Sequence, residues 1–314
     1  MSSGGPVSAR GARAVEVAAQ AKINLRLRIL ARETSGYHQL ETLFLRIDLA
    51  DTVRVRRTSG ERTLDVVGSV NPSLIGPVKE NLAWRAAEAY FAASGMRGGF
   101  AIELTKRIPI GGGLGGGSAD AGAVLRALDA MEDETLGTDL LLSLAAGLGA
   151  DVPFLASEHA YALAWGRGER MLALTSPPSR DAVLIVPTFS INTGEAFRWL
   201  GQLGTTRAPQ RSMSSTAFLP DALTDWEALG ALAINDFEIA VEMRHPEIRE
   251  YIYLLRARGF SIAMMSGSGS TVFGIWTSSA PCPDPTATLP DAPVGTTFIR
   301  AHTASRVEQV SVIE

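Results

Sequence analysis

Residues 109–120 read PIGGGLGGGSAD, with six glycines in the seven positions 111–117, then Ser118, Ala119 and Asp120. Glycine has no Cβ, so successive main-chain N–H groups can come close to an anion. A helix starting just after such a run adds the positive end of its dipole. The chemistry this suits is a grip on a phosphate chain. Two further segments carry side chains for proton chemistry. Lys22 and Asn24, in AKIN at 21–24, alternate onto one face of an extended segment. Asp151, in GADVPF at 149–154, falls in a turn after a helical stretch. A carboxylate held ionised by a nearby ammonium can take the proton of an alcohol. Each feature has a plainer meaning alone: a linker, a solvated lysine, an Asx-type turn. A small-residue turn, MSGSGSTVFG at 265–274, reads by itself as an ordinary hairpin.

Two common phosphate loops do not fit. Gly117 runs straight into Ser118 with no lysine between, against the P-loop pattern. A dinucleotide fingerprint needs an acidic strand end about twenty residues on, where LRALDAMED at 125–133 is helical in pattern.

The elements that must position these residues are legible in outline. NLRLRIL alternates, with Leu25, Leu27 and Ile29 against Arg26 and Arg28, as a half-buried strand does. Strand-like material follows a turn at Ser35-Gly36 and continues to Val55, and TLDVVGS reads as another short strand. Residues 80–95 form an alanine-rich helical stretch that stops at Gly95. FAIELTKRIPI at 100–110 is extended and delivers the chain to the glycine run, and a helix is expected after Ser118. That tight framing argues against a free linker. A helix capped by Thr138 is expected to run to Gly147 or Gly149. Two short strands flank Gly166-Arg167-Gly168, and DAVLIVP at 181–187 is a buried strand. Helices are expected around 193–203, 225–244 and 246–259. SIAMMSGSGSTVFGIW then reads strand–turn–strand, a five-proline loop follows, and TFIRAHTA is taken as the last strand. Strands and helices interleave without a strict βαβ rhythm, which points to an α+β fold. The domain boundary is placed at Gly166, giving parts at 1–165 and 166–314, with 1–14 as a loose tail.

The chain has 314 residues, enough for two domains. A net charge of −4 provides no general field for nucleic acid or an anionic membrane, so an anionic substrate must be met locally. The single cysteine, Cys282, excludes an internal disulfide and a multi-thiolate zinc site, and a reducing cytoplasmic setting is expected. No apolar run reaches membrane-spanning or signal-peptide length.

Taken in order, AKIN, GYHQLET, KRIPIGGGLGGGSADA, GADVPF and MSGSGSTVF resemble the GHMP kinase superfamily. The likeness is sharpest to the branch whose alcohol acceptor carries a cytidine diphosphate, through SGYHQLETLF after AKINL. Two departures are modest: Gln20 stands where a proline is usual, and SADAG replaces a commoner Ser-Ser-Asn-Ala. The resemblance implies a two-domain α+β fold, a ribosomal protein S5 domain 2-like N-terminal part and a ferredoxin-like C-terminal part, with the active site in the cleft between them. It implies ATP and Mg2+ and transfer of the γ-phosphate to a hydroxyl. Lys22 and Asp151 are then catalytic. Pro109, Ile110, Gly111, Gly112, Gly113, Leu114, Gly115, Gly116, Gly117, Ser118 and Ala119 wrap the ATP phosphates, with Asn81 and Lys106 nearby and Ser118 as a metal contact. Asn24, Tyr37, His38, Thr193 and Phe197 face the substrate, with the aromatic side chains meeting the cytosine. The expected partner is that small molecule, with no nucleic acid or membrane, and the chain acts as a monomer or homodimer. The alternatives are another kinase of the superfamily, of homoserine or mevalonate type, or a non-catalytic nucleotide-binding protein on the same scaffold.

Overall fold

Alternating apolar residues make the first two segments pair. β1 (Ala14–Arg32) and β2 (His38–Thr58) run antiparallel, with Val15, Val17, Ile23, Leu43, Leu45 and Val53 fully buried between them and the helices. The computed structural model describes residues 9–34, 38–68, 76–132, 134–203, 220–284 and 293–314. β3 (Arg62–Val67), α1 (Leu82–Ser94), β4 (Gly99–Thr105), α2 (Gly116–Met131), α3 (Thr138–Leu148) and α4 (Val152–Ala156) follow in order. Next come β5 (Tyr161–Gly166), β6 (Arg170–Ala173), β7 (Asp181–Val186), α5 (Thr193–Gln202) and α6 (Trp226–Leu232). β8 (Ile234–Asn235), α7 (Glu238–Glu242), α8 (Glu247–Ala257), β9 (Ile262–Met265), β10 (Val272–Trp276), β11 (Thr297–His302) and β12 (Ser311–Val312) complete the chain.

Among the described residues the strands form two sheets. The first has eight strands along the order β12-β1-β2-β4-β3, with β5 on β2, β6 on β5, and β8 on β1. The second has four strands, β11-β7-β10-β9. α2 is the central helix of the first core: it is buried from Ala119 to Leu128 and packs on α1, α4 and β1. The second core gathers Val183, Ile185, Ile248, Ile252, Leu255 and Met265, and Leu27 of β1 reaches into it. The fold is α+β, as the sequence indicates. No helix among the described residues is long and apolar enough to cross a membrane.

Several local expectations change. The helix expected over 225–244 is broken into α6 and α7 by β8, which pairs in parallel with Arg26 and Leu27. Backbone pairing with an existing strand outweighs helix propensity there. Thr138 is the first residue of α3 and not its cap: Gly137, at φ 79°, holds that position. The GADVPF turn closes into α4, because Pro153 is pre-set for a first helical turn. β12 follows what was taken as the last strand, pairing Val312 with Val15. Residues 9–13 are held to the body, with Gly11 N–H donating to Met131 O at 3.1 Å and Ala9 in the core. Gly166 lies in the β5–β6 hairpin of the first sheet. The Ser35-Gly36 turn, residues 1–8 and most of the proline-rich loop lie outside the described residues.

The two sheets are tied at Asn235. Its buried amide donates to Met265 O at 2.8 Å and Gly267 O at 2.7 Å, while its Oδ1 accepts from Phe237 N–H. Asn235→Ala orphans these groups at roughly 1–3 kcal/mol each. Urea unfolding should therefore show a loss of at least about 2 kcal/mol, and a loss near zero would mean the tie carries no load.

Candidate active site

The chain positions Lys22 through a local irregularity in the β1–β2 ladder. The register slips between Gln20 and Lys22 and again between Asn24 and Arg26, so the stretch 22–24 is bracketed by two bulges. Lys22 is almost completely buried. Its ammonium donates to Asn24 Oδ1 at 2.8 Å and Gly113 O at 3.0 Å, and pairs with Asp151 Oδ2 at 3.3 Å. Three partners match the three donors of an ammonium. Asn24 is fixed in turn: its amide donates to Thr42 Oγ1 at 2.8 Å, and Thr42 donates to Arg26 O at 2.7 Å. Asp151, at the start of α4, is the exposed member at 31%.

The glycine run folds back on itself rather than extending. Gly111, Gly113 and Gly115 have φ of 73°, 77° and 74°, in the left-handed region that side chains resist. At Gly113 space is denied as well: a Cβ there would lie 2.1 Å from Ser266 O. The turn after β9 is what presses on the run. Ser266 Oγ donates to Gly113 O at 3.0 Å, and Thr271 N–H donates to Gly112 O at 3.0 Å. Leu114 is buried and its carbonyl accepts from Lys22 N–H, which locks the run to β1. α2 begins at Gly116, so the amides of Gly116, Gly117 and Ser118 belong to a first turn that has no intrahelical acceptors.

Both ends of this cradle meet at Lys106. Its ammonium, 8% exposed, donates to Asp51 Oδ2 and Asp120 Oδ2. Asp51 is fully buried, and its other oxygen accepts from the N–H groups of Arg107 and Ile108. Asp120 Oδ1 is buried with no hydrogen-bond partner. Burial pushes the Asp120 carboxyl up to about 7, Lys106 opposes that shift, and Asp51 adds to it.

A cavity of roughly 1750 Å³ runs along these groups. Lys22, Asn24, Asn81, Lys106, the whole stretch 109–118, Asp151, His38, Thr193 and Phe197 all line it. Ala119 is buried just behind, its N–H donating to Gly115 O at 2.8 Å. Asn81 caps α1 by accepting from Ala83 N–H at 2.9 Å. His38 and Phe197 stack on each other with centroids 4.4 Å apart and planes 13° apart, and Phe237 braces Phe197 edge-on. Thr193 bonds to Ser268 at 2.9 Å. Tyr37 lies outside the described residues.

Sequence reading missed Thr42, Asp51, Asp120, Ser266 and Ser268. Thr42, Asp120, Ser266 and Ser268 lie inside quoted motifs without being marked as site residues, and Asp51 lies in none. Each contacts the site across 14 to 153 positions of chain.

Comparison with known proteins places this geometry in a family. The model of the GHMP kinases N terminal domain matches residues 81–159, and that of the GHMP kinases C terminal matches 219–281. A 4-diphosphocytidyl-2-C-methyl-D-erythritol kinase of Desulfotalea psychrophila is 40% identical over 83% of this chain and 85% of its own length. A crystal structure of 4-(cytidine 5'-diphospho)-2C-methyl-D-erythritol kinase superposes with a TM-score of 0.72 at 34% identity, covering 92% of this chain and 99% of its own. A homoserine kinase from Cytophaga hutchinsonii shares the fold at 19% identity and a TM-score of 0.67, over 96% of this chain and 98% of its own.

The Asp120 carboxyl gives a pH test. Its folded pKa lies above the unfolded value of about 3.9. Its contribution to stability is therefore complete below that unfolded value and is lost as pH rises through about 7. Across pH 5 to 8, thermal melts should turn steadily more favourable to Asp120→Asn relative to wild type. A difference that stays flat with pH would place the Asp120 titration elsewhere.

Proposed function

This chain belongs to the 4-diphosphocytidyl-2-C-methyl-D-erythritol kinase branch of the GHMP kinase family, and we propose that it transfers the γ-phosphate of ATP to the 2-hydroxyl of 4-diphosphocytidyl-2-C-methyl-D-erythritol. The products are the 2-phosphate and ADP, a step of non-mevalonate isoprenoid synthesis carried out in the cytoplasm. The observation that carries the reading is the Lys22 ammonium, which touches the candidate base, the glycine cradle and Asn24 at once.

Phosphoryl transfer asks mainly for positioning and for neutralised charge. The amides between 111 and 118, including the first turn of α2, hold the β- and γ-phosphates, while that of Ala119 is already bonded to Gly115 O. The left-handed glycines, and the space a Cβ at Gly113 would fill, fit a backbone cradle of this kind. Asp151 accepts the hydroxyl proton. Lys22 pairs with that carboxylate and fixes its distance from the cradle through Gly113 O. Asn24 and Thr193 orient the acceptor. Asn81 meets the nucleotide from the start of α1. Lys106 serves ATP through its clamp on the ends of the cradle, since both its carboxylate partners are already in contact.

Among the described residues no group of three His, Cys, Asp or Glu has the arrangement of a metal cage. The hard donors beside the cradle are the Ser118 hydroxyl and the unpartnered Asp120 Oδ1. They fit an ion carried in with the triphosphate: Ser118 would hold Mg2+ together with the phosphate oxygens. Such an ion neutralises charge on the transferring group.

The cytosine is assigned to the aromatic pair. His38 and Phe197 both line the cavity but are stacked on each other, so the base is assigned to an outer face of that pair and not to a gap between the two rings; Tyr37 precedes His38 in the chain.

Three measurements test this reading. Asp151→Asn should retain ATP binding by calorimetry and lose kcat by roughly 10²–10⁴-fold. Faster turnover of homoserine or mevalonate than of the cytidylyl acceptor would refute the narrower assignment. Phe197→Ala should raise the acceptor KM by about 5- to 150-fold, the range of about 1–3 kcal/mol per stacked base, and leave the ATP KM alone. Equal effects on both KM values would remove Phe197 from the base site.

A further inference from the structure

Arg46 is the largest fully buried side chain among the described residues, and no carboxylate is hydrogen-bonded to it. Its guanidinium donates to three main-chain carbonyls: His159 O at 3.0 Å, Phe154 O at 2.9 Å and Ser157 O at 3.0 Å. It also lies 5.1 Å from the centre of the Phe154 ring. Phe154 lies in α4, Ser157 is its C-cap and His159 follows in the turn after it, the end at which a helix dipole is negative. The buried cation is therefore hydrogen-bonded only to main-chain carbonyls, with Glu158 acting on it at longer range. Burial lowers its pKa to about 9, which leaves it charged at neutral pH.

α4 is only five residues long. At about 1.5 Å of rise per residue, Asp151 and Phe154 are roughly 4.5 Å apart along its axis. Lys22 holds the Asp151 end and Arg46 the Phe154 end. Lys22 and Arg46 are also direct cross-strand partners in the β1–β2 ladder. One rung of the sheet thus grips both ends of the short helix. A helix of this length has few internal bonds to resist rotation: Leu155 N–H to Asp151 O at 3.2 Å is one, and Ser157 N–H to Pro153 O at 3.1 Å is another.

We propose that Arg46 is a positioning residue for Asp151, setting the distance between the base and Lys22 by clamping the far end of α4. The inference rests on the role proposed above for Asp151. Without the guanidinium, the Ser157 and His159 carbonyls lose its N–H groups and Phe154 O keeps only its bonds from Ser157 N–H and Ser157 Oγ inside the same turn, so no side chain from β2 holds that end; α4 can turn or slide, and Asp151 leaves its place beside Lys22. The arrangement separates Arg46 from substrate contact, since it touches neither the cavity nor the cradle. Its removal therefore acts on the chemical step and spares binding.

The test is steady-state kinetics of Arg46→Met, which keeps the length and apolar stem, with Arg46→Lys and Arg46→Gln as further variants should the first fold poorly. A displacement near 1 Å costs on the order of 10²-fold, so kcat should fall about 10- to 100-fold while both KM values stay within about 3-fold. Arg46→Lys, which can reach only part of the carbonyl set, should fall between wild type and Arg46→Met. Leu255→Ala, in the second core, controls for lost stability: it should lower the melting temperature and spare kcat. The decisive comparison is Arg46→Met made in Asp151→Asn. With no base to position, the second change should move the residual kcat by less than about 3-fold, a non-additive result for sites that act as one unit. Full additivity, or a wild-type kcat in folded Arg46→Met or Arg46→Gln, overturns the role of Arg46. Wild-type activity in Asp151→Asn alone overturns the reading of the base instead, so the two failures are distinct.

Discussion

A single buried ammonium sets the geometry of this site. Lys22 has three donors, and each is directed at a different part of the molecule: Asn24 on its own strand, Gly113 in the glycine run, and Asp151 at the start of α4. A buried cation with fewer partners would carry a desolvation penalty of several kcal/mol. The fold therefore has to bring all three acceptors to one point. That requirement explains the two bulges around 22–24, which re-aim the strand locally without changing the long pairing on either side.

The glycine run is shaped by the same demand and by pressure from the other sheet. Its carbonyl at Gly113 accepts from both Lys22 and Ser266, so the oxygen faces into the protein. Ser266 belongs to the turn between β9 and β10, which Asn235 fixes from the first sheet. The cradle is thus closed by residues far away in sequence, and the backbone crowding at Gly113 is what makes glycine necessary there.

Charge in the interior follows one rule at three places. Lys22, Lys106 and Arg46 are each buried, and each is neutralised by groups that also define a local shape. Lys106 draws the end of β4 and the start of α2 together through Asp51 and Asp120. Burial raises the Asp120 carboxyl to about 7, against the pull of Lys106 and with the push of the neighbouring Asp51. Arg46 uses carbonyls alone. In all three the electrostatics matter less as added stability than as fixed distances.

How much of this was legible along the chain depends on range. The glycine run, the strand alternation that pairs Lys22 with Asn24, and a helix following the run are local patterns that the structure contains, although the helix starts at Gly116, inside the run, and not after Ser118. The order of these segments also carried the family. What no local pattern carried was the break of 225–244 into α6, β8 and α7, because β8 exists only through its pairing with β1. Asp51 and Arg46 look like ordinary strand residues until the partner segments arrive. The sequence by itself determined which atoms are present to bind phosphate and move a proton, since residue type and backbone freedom are chemical properties of the chain. Only the tertiary structure decided which of them meet, because contacts between positions such as 22, 113 and 151 arise when packing closes the chain and buried charges must find partners.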